Sequence, residues 1–493
     1  MKRFFYLILV AILCCGGLMF TSCSSDDTEI APNPPDPDDP DDPETDPYQK
    51  YGDLIQHIQE DAKLLAENLN FDMVNTTVDI NTQLLRVMDK GRNFTANIKT
   101  LIALMAVQNA VQHIKSVPAD SELAKMGYTA YIPLDISSFG VRVVFDERGD
   151  YKVSPAEGLE YIFPATIEGV GKTVYKMSLK NNGEWYESVS PGNFRQVKGL
   201  ACITRIPKAM TLTLSGLFDD KEINILQGVV NIEMENAPQS QYTDFKNSIF
   251  RITCQMTSAL NGSQYGLPDD DSKLEFSFGT SEENQATINY FFTQKGMSVL
   301  HSSAQITMPD QKGFIEQLST LLLDPSSLKK DNLLLTLANV FNNCKATLNA
   351  TILDDLMFTA DIADGTVFFQ ALQNVLQEST DSEVTQEVWN TDVEQLDKSC
   401  TLLISYKDAP AQTPLWLLPS WQSDSHGILP SLKIDEQPLF MSINDLVGEE
   451  TVGHINKVKE LSATPVSNAV GVDMQLCSRV LLMMPMNSEE WGF

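Results

Sequence analysis

Two indole rings five residues apart, Trp416 and Trp421, lie in the run Trp416-Leu417-Leu418-Pro419-Ser420-Trp421, just after Pro414. Flat aromatic faces offer a large rigid contact area at little entropic loss, and they stack on the apolar faces of sugars. The pair is therefore a candidate ligand-binding platform. The competing reading places both rings in a core beneath a loop, and Trp185-Tyr186 raises the same question. The five histidines, His57, His113, His301, His426 and His454, form neither HxH nor HExxH, so no zinc signature is present. GxSxG, P-loop and strand-linked GxGxxG motifs are absent as well. Cys202, Cys254, Cys344, Cys400 and Cys477 are widely spaced, without CxxC, and odd in number. Most of them sit in apolar runs and are expected to be buried free thiols. Neither a metal nor a cofactor is expected. Glycoside hydrolysis needs only two carboxylates at a set separation, and a chain with 66 acids nominates no particular pair. No catalytic residue is assigned.

The clearest chemistry belongs to a thiol near the N-terminus. Met1-Lys2-Arg3 precedes Phe4 to Leu13, a stretch without charge, and the apolar region ends by Phe20. That is the layout of a secretory signal peptide, and it is marginal for crossing a bilayer, which takes about 20 apolar residues. Phe20-Thr21-Ser22-Cys23 follows. A small residue before a cysteine after an apolar run resembles the lipobox of bacterial lipoproteins, with Phe20 where leucine is usual. The resemblance implies cleavage before Cys23 and acylation of that residue. Several acyl chains, each adding about 0.8 kcal/mol per buried CH₂, make a durable anchor. Ser24-Ser25-Asp26-Asp27 comes next and resembles the surface-export signal of Bacteroidetes-type outer-membrane lipoproteins. That likeness implies a protein lipid-anchored in the outer membrane and facing the cell exterior.

Residues 24–47 hold seven prolines and ten acids. Proline fixes φ and removes a donor, and like charges stretch the chain, so this segment reads as a solvated tether reaching up to roughly 75 Å. The whole chain carries a net charge of −31. Such a balance disfavours nucleic acid, whose binding depends on Lys and Arg neutralising phosphates.

The body must position whatever it binds. Tyr51, Leu54, Ile58, Ala62, Leu65 and Leu69 step by three or four, as on one face of a helix. Val78, Leu84, Leu85 and Met88 mark a second helix ending at Gly91, and Phe94, Ile98, Leu101, Ile102, Met105 and Ile114 a third. From Tyr128 the alternation becomes that of antiparallel strands. Val141–Phe145 turns at Gly149 into Tyr151, and Thr211–Leu214 turns at Asp219-Asp220 into Ile223–Met234. Asn182-Gly183 predicts a hairpin between Val174–Leu179 and Trp185-Tyr186. Helices return near Asp310, around Leu333–Phe341 and over Val367–Leu376, with a hairpin at Asp354-Asp355 and a strand over Cys400–Tyr406. Beyond Pro414 the pattern breaks into short pieces.

The fold class expected is α+β. The expected layout is a signal peptide over 1–22, a tether over 23–47, a helical region over 48–127, an antiparallel β-rich domain over 128–308 and a mixed α+β domain over 309–493. The function expected is non-enzymatic binding at the cell surface, with a glycan or nutrient as ligand and Trp416 and Trp421 as its contacts. A structural or adhesive module for proteins, a lipid-binding carrier and a carboxylate-based glycoside hydrolase remain open alternatives. The membrane, through Cys23, is the one partner expected outright.

Overall fold

The computed structural model describes residues 47–91, 114–135, 140–187, 192–193, 198–235, 249–258, 260–281, 284–314, 317, 339–378, 384–421, 426–434 and 439–482. Cys23, residues 24–46 of the tether, the third helical stretch over 94–113 and most of the helix expected around Leu333 lie outside the described residues. The chain combines helices with one large, mostly antiparallel sheet.

Two helices open the body, α1 (Pro47–Asn68) and α2 (Asp72–Lys90). Their buried residues include those the three-to-four spacing selects: Tyr51, Leu54, Ile58 and Ala62 on α1, Leu69 just past its end, and Ile80, Leu84, Leu85 and Met88 on α2. A small sheet follows, built from β1 (Lys115–Ser116), β2 (Ala130–Asp135), β7 (Trp185–Glu187), β8 (Gly192–Asn193) and β9 (Leu200–Pro207), with β2 and β9 parallel.

The main sheet has sixteen strands. Along the chain they are β3 (Val141–Phe145), β4 (Tyr151–Pro155), β5 (Leu159–Ile167), β6 (Gly171–Asn181), β10 (Ala209–Phe218) and β11 (Lys221–Glu235). Next come β12 (Ile249–Thr257), β13 (Lys273–Thr280), β14 (Gln285–Gln294), β15 (Met297–Thr307), β16 (Lys345–Ile352) and β17 (Leu356–Ile362). The last four are β18 (Cys400–Tyr406), β19 (Ala409–Trp421), β20 (His426–Ile434) and β21 (Leu439–Ser442). From β10 to β21 each strand pairs antiparallel with the next in sequence, and only β3 and β5 pair in parallel. Asp219 and Asp220 both take positive φ (47° and 60°), the conformation that the tight turn between β10 and β11 demands.

Two sequence expectations are corrected here. The hairpin at Asn182-Gly183 does not form: β6 is flanked by β5 and β10, and β7 joins β9 in the small sheet. Instead Asn181 Oδ1 accepts the Gly183 N–H at 2.9 Å, a side-chain turn that lets the chain leave the main sheet. The described residues beyond Pro414 form regular strands and helices, among them a long helix, rather than a broken pattern. β19 pairs with β18 at Pro414 and with β20 at Pro419, whose partner strand carries Pro430, and a 34-residue helix, α7 (Glu449–Leu482), runs through Pro465. The main sheet also crosses residues 308 and 309 without a break, since β15 pairs with β16.

Side chains alternate between two unlike faces. One row of register partners on the outer face reads Asn231, Thr253, Ser277, Asn289, Ser303, Asn349 and Thr359. Cross-strand bonds link its members, such as Asn289 Nδ2 to Ser277 Oγ (2.9 Å) and Thr359 Oγ1 to Asn349 Oδ1 (3.0 Å). The inner face is apolar and packs against helices. α2 lies against β5 and α7, while α1 lies against β17 and β18. Two further helices, α4 (Gly365–Glu378) and α5 (Gln386–Ser399), follow α3 (Glu122–Lys125) in chain order, and α5 packs on β18 and β19. A short α6 (Ile443–Val447) leads into α7, which returns along α1 and α2. Among the described residues no helix is long and apolar enough to cross a membrane.

Candidate functional site

Trp416 and Trp421 both lie on β19, and an odd separation on a strand sends side chains to opposite faces. They do not form one platform. Trp416 is on the outer face, half-buried, with its ring edge-on to Phe440 at 5.6 Å. Its Nε1 is buried and has no hydrogen-bond partner. Trp421 is on the inner face, stacked on His426 at 5.2 Å. His426 in turn meets the edge of Trp389 at 4.5 Å and bonds the Glu378 carbonyl through Nε2 at 2.6 Å. Trp389, from α5, is 1% exposed, and its Nε1 donates to the Gly427 carbonyl at 3.3 Å. This aromatic stack fastens the end of α4, the start of α5 and the β19–β20 junction together. Trp185-Tyr186 sits half-buried in the small sheet, where the Tyr186 hydroxyl accepts the Met234 N–H at 3.2 Å.

Sequence reasoning passed over α5. Its signal was present: Trp389, Val393 and Leu396 step by four and three, and Thr385 accepts the Val388 N–H as an N-cap. At its other end Asp397 Oδ1 accepts the Leu417 N–H at 2.7 Å, and burial holds that carboxyl above its ordinary range. The helix is thus pinned to β20 near its start and to β19 at its end.

Between the helices the inner face is incompletely covered. Successive register partners from β15 to β20 are Ala304, Leu348, Ala360, Leu402, Leu415 and Leu432. Ala304 and Leu432 are buried, yet the four residues between them are only half-buried. On one side Ile362, Cys400 and Leu417 join the large apolar cluster under α5. On the other side Phe358, Ile404 and Leu432 join a separate cluster under α1, with Tyr51, Leu54, Ile55 and Ile58. Ala360 and Leu402 belong to neither. At about 4.8 Å per strand, the half-buried stretch is roughly 14 Å long. No charged side chain belongs to this row. Nearby, the Ser302 hydroxyl on the same face is 1% exposed and has no partner.

The wall formed by α1 carries a cluster of acids. His57 Nδ1 lies 2.5 Å from Asp355 Oδ2 in the β16–β17 turn, and its ring stacks on Tyr406 at 4.3 Å. Tyr406 donates to Asp53 Oδ2 at 3.4 Å. One turn beyond His57, Asp61 is 7% exposed, and its Oδ2 has no partner. Burial, reinforced by the nearby Asp355 carboxylate, pushes its carboxyl up to about 6, against the lowering effect of the Leu356 N–H. Among the described residues no group of three His, Cys, Asp or Glu side chains could hold a metal ion.

Cys254, Cys344 and Cys400 are free thiols, two buried and one half-buried. Burial raises all three, to about 11, 11 and 12. No family model, curated protein or solved structure matches the chain.

Proposed function

We propose that the chain is a lipid-anchored protein of the Bacteroidetes type, held to the outer membrane through Cys23 and facing outward, whose body is a non-enzymatic carrier of an apolar chain. The observation that supports the carrier reading is the half-buried row Leu348, Ala360, Leu402 and Leu415, whose ends pack on two separate apolar clusters while Ala360 and Leu402 between them belong to neither. A row of roughly 14 Å, one side chain wide and uncharged, accommodates a single acyl chain, which spans about half of a hydrocarbon core of roughly 30 Å. The ligand would lie across the strands, with α1 and α5 as walls.

The test begins with Cys23→Ser, which removes the anchor lipid and shifts the protein from the membrane to the soluble fraction. Solvent extraction and mass analysis of that variant then yield an acyl lipid near one per chain. The probe cis-parinaric acid binds the emptied protein, and Ala360→Phe, which fills the row, weakens binding at least tenfold. An extract free of lipid together with no probe binding overturns the carrier reading. Membrane retention of the Cys23→Ser variant overturns the anchor.

A second reading, glycan capture on the outer face, is favoured by Trp416 beside Phe440 with its unpartnered Nε1. Retention on a glycan panel that Trp416→Ala abolishes would establish it.

A further inference from the structure

A helix that walls a binding row and carries a buried acid can respond to protons. We propose that protonation of Asp61 controls how firmly α1 docks on the main sheet, and thereby access to the row that α1 walls. The docking stands without any ligand; the control of access rests on the carrier reading above.

α1 is held along its length, and Gln59 Nε2 donates to the Val447 carbonyl at 2.9 Å. The Tyr51 hydroxyl donates to the Lys433 carbonyl at 2.7 Å near its start, and Asn70 just past its end exchanges two bonds with the Gln294 side chain, at 2.8 and 2.6 Å. Between these lies the acid cluster. At the end of α1, Lys295 Nζ also donates to the Asn68 carbonyl at 3.3 Å. The middle sets Asp61 against Asp355 with an oxygen that nothing satisfies. A carboxylate there keeps an only partly compensated charge out of water beside a second carboxylate; a carboxylic acid removes that charge and can donate a hydrogen bond.

The charged groups that act on Asp61 are Asp355 and Glu60, which oppose its ionisation, and His57, which favours it. Asp53 and Tyr406 complete the cluster around His57. Asp354 in the same turn is engaged by the Ser298 hydroxyl, and Lys407 and Asp408 lie in the next turn. Of the other elements packed on α1, α6 brings Asp445, and α7 brings Glu449, Glu450, His454, Lys457, Lys459 and Glu460. None of these is a source of the shift at Asp61.

The sign follows from linkage. With a carboxyl raised from 3.8 to about 6 in the docked state, the added stability is fully present below 3.8 and is lost as pH rises through 6. Between pH 8 and pH 5 docking tightens about tenfold.

Hydrogen exchange on the full chain, corrected for intrinsic rates, reads the docking directly. Protection of the α1 amides rises about tenfold from pH 8 to pH 5 in the native protein and stays flat in Asp61→Asn. In Asp355→Asn, which removes a neighbouring carboxylate, the midpoint moves down. Equal pH dependence in native protein and Asp61→Asn overturns the inference; if Asp61→Asn does not fold, an unmoved midpoint in Asp355→Asn does so. Uptake of cis-parinaric acid is measured in parallel and is about tenfold faster at pH 8 than at pH 5. PH-dependent protection with no uptake at either pH leaves the docking in place and removes the carrier reading; uptake at equal rates removes the control of access.

Discussion

Replacement of Trp389 by alanine is the sharpest test of how α5 is held. The indole is 1% exposed and packs in the cluster that includes Val393, Leu396, Leu417 and Trp421. Truncating a buried tryptophan to alanine costs about 3–5 kcal/mol, and the stranded Gly427 carbonyl adds about 1 kcal/mol. The total is about 5 kcal/mol. Unfolding entropy of about 2.1 cal/mol/K per residue, over the 446 residues that follow the tether, gives about 0.9 kcal/mol per degree. The melting temperature should therefore fall by about 5–6 °C in scanning calorimetry. Trp421→Ala removes a half-buried ring stacked on one face of His426 and should lower it by only about 2 °C. A drop for Trp389→Ala no larger than that for Trp421→Ala would refute the assignment of Trp389 as the fastener.

Two other perturbations probe the packing. Gly149, in the turn between β3 and β4, has φ +86°, and a Cβ there would lie 2.6 Å from Lys90 Cβ and 3.0 Å from the Val87 carbonyl. Gly171 also has φ +86° but open space around it. Gly149→Ala should cost about 1–3 kcal/mol more in urea unfolding than Gly171→Ala, the difference reporting the contact with the end of α2. The thiols of Cys254 and Cys344, raised from 9.0 to about 11, hold about a hundredfold less thiolate at pH 8. Iodoacetamide labelling of those peptides, followed by mass mapping, should be at least that much slower in native protein than in denaturant.

What could be read from the sequence was local. The step of three and four in α1 and α2, and the turns at Gly149, Asp219-Asp220 and Asp354-Asp355, are set by residues close in the chain, and the structure follows them. Other features are tertiary. Pro419 looked like a breaker, yet β18 pairs with β19 only as far as Leu415, so that proline has a partner strand on one side alone and withholds no bond from the other. Pro465 sits in a helix that two others support. Asn182-Gly183 carries a true turn signal, but both sides of β6 were already taken. The acid cluster was hidden most deeply, because His57 and Asp355 stand 298 residues apart and nothing in either neighbourhood announces the other.

The order of the strands has a bearing on assembly. From β10 onward each strand's neighbour is the one before it, so a chain emerging from its N-terminus can add strands one at a time, without waiting for distant sequence. The early helices have no such option. Tyr51 must wait 382 residues for Lys433, and α7, the last of the described helices, lies along both α1 and α2. The sheet can thus be zipped progressively while its clasp closes only at the finish. A chain stopped short of α7 would keep most of its hairpins yet leave the front pair of helices without their final strap.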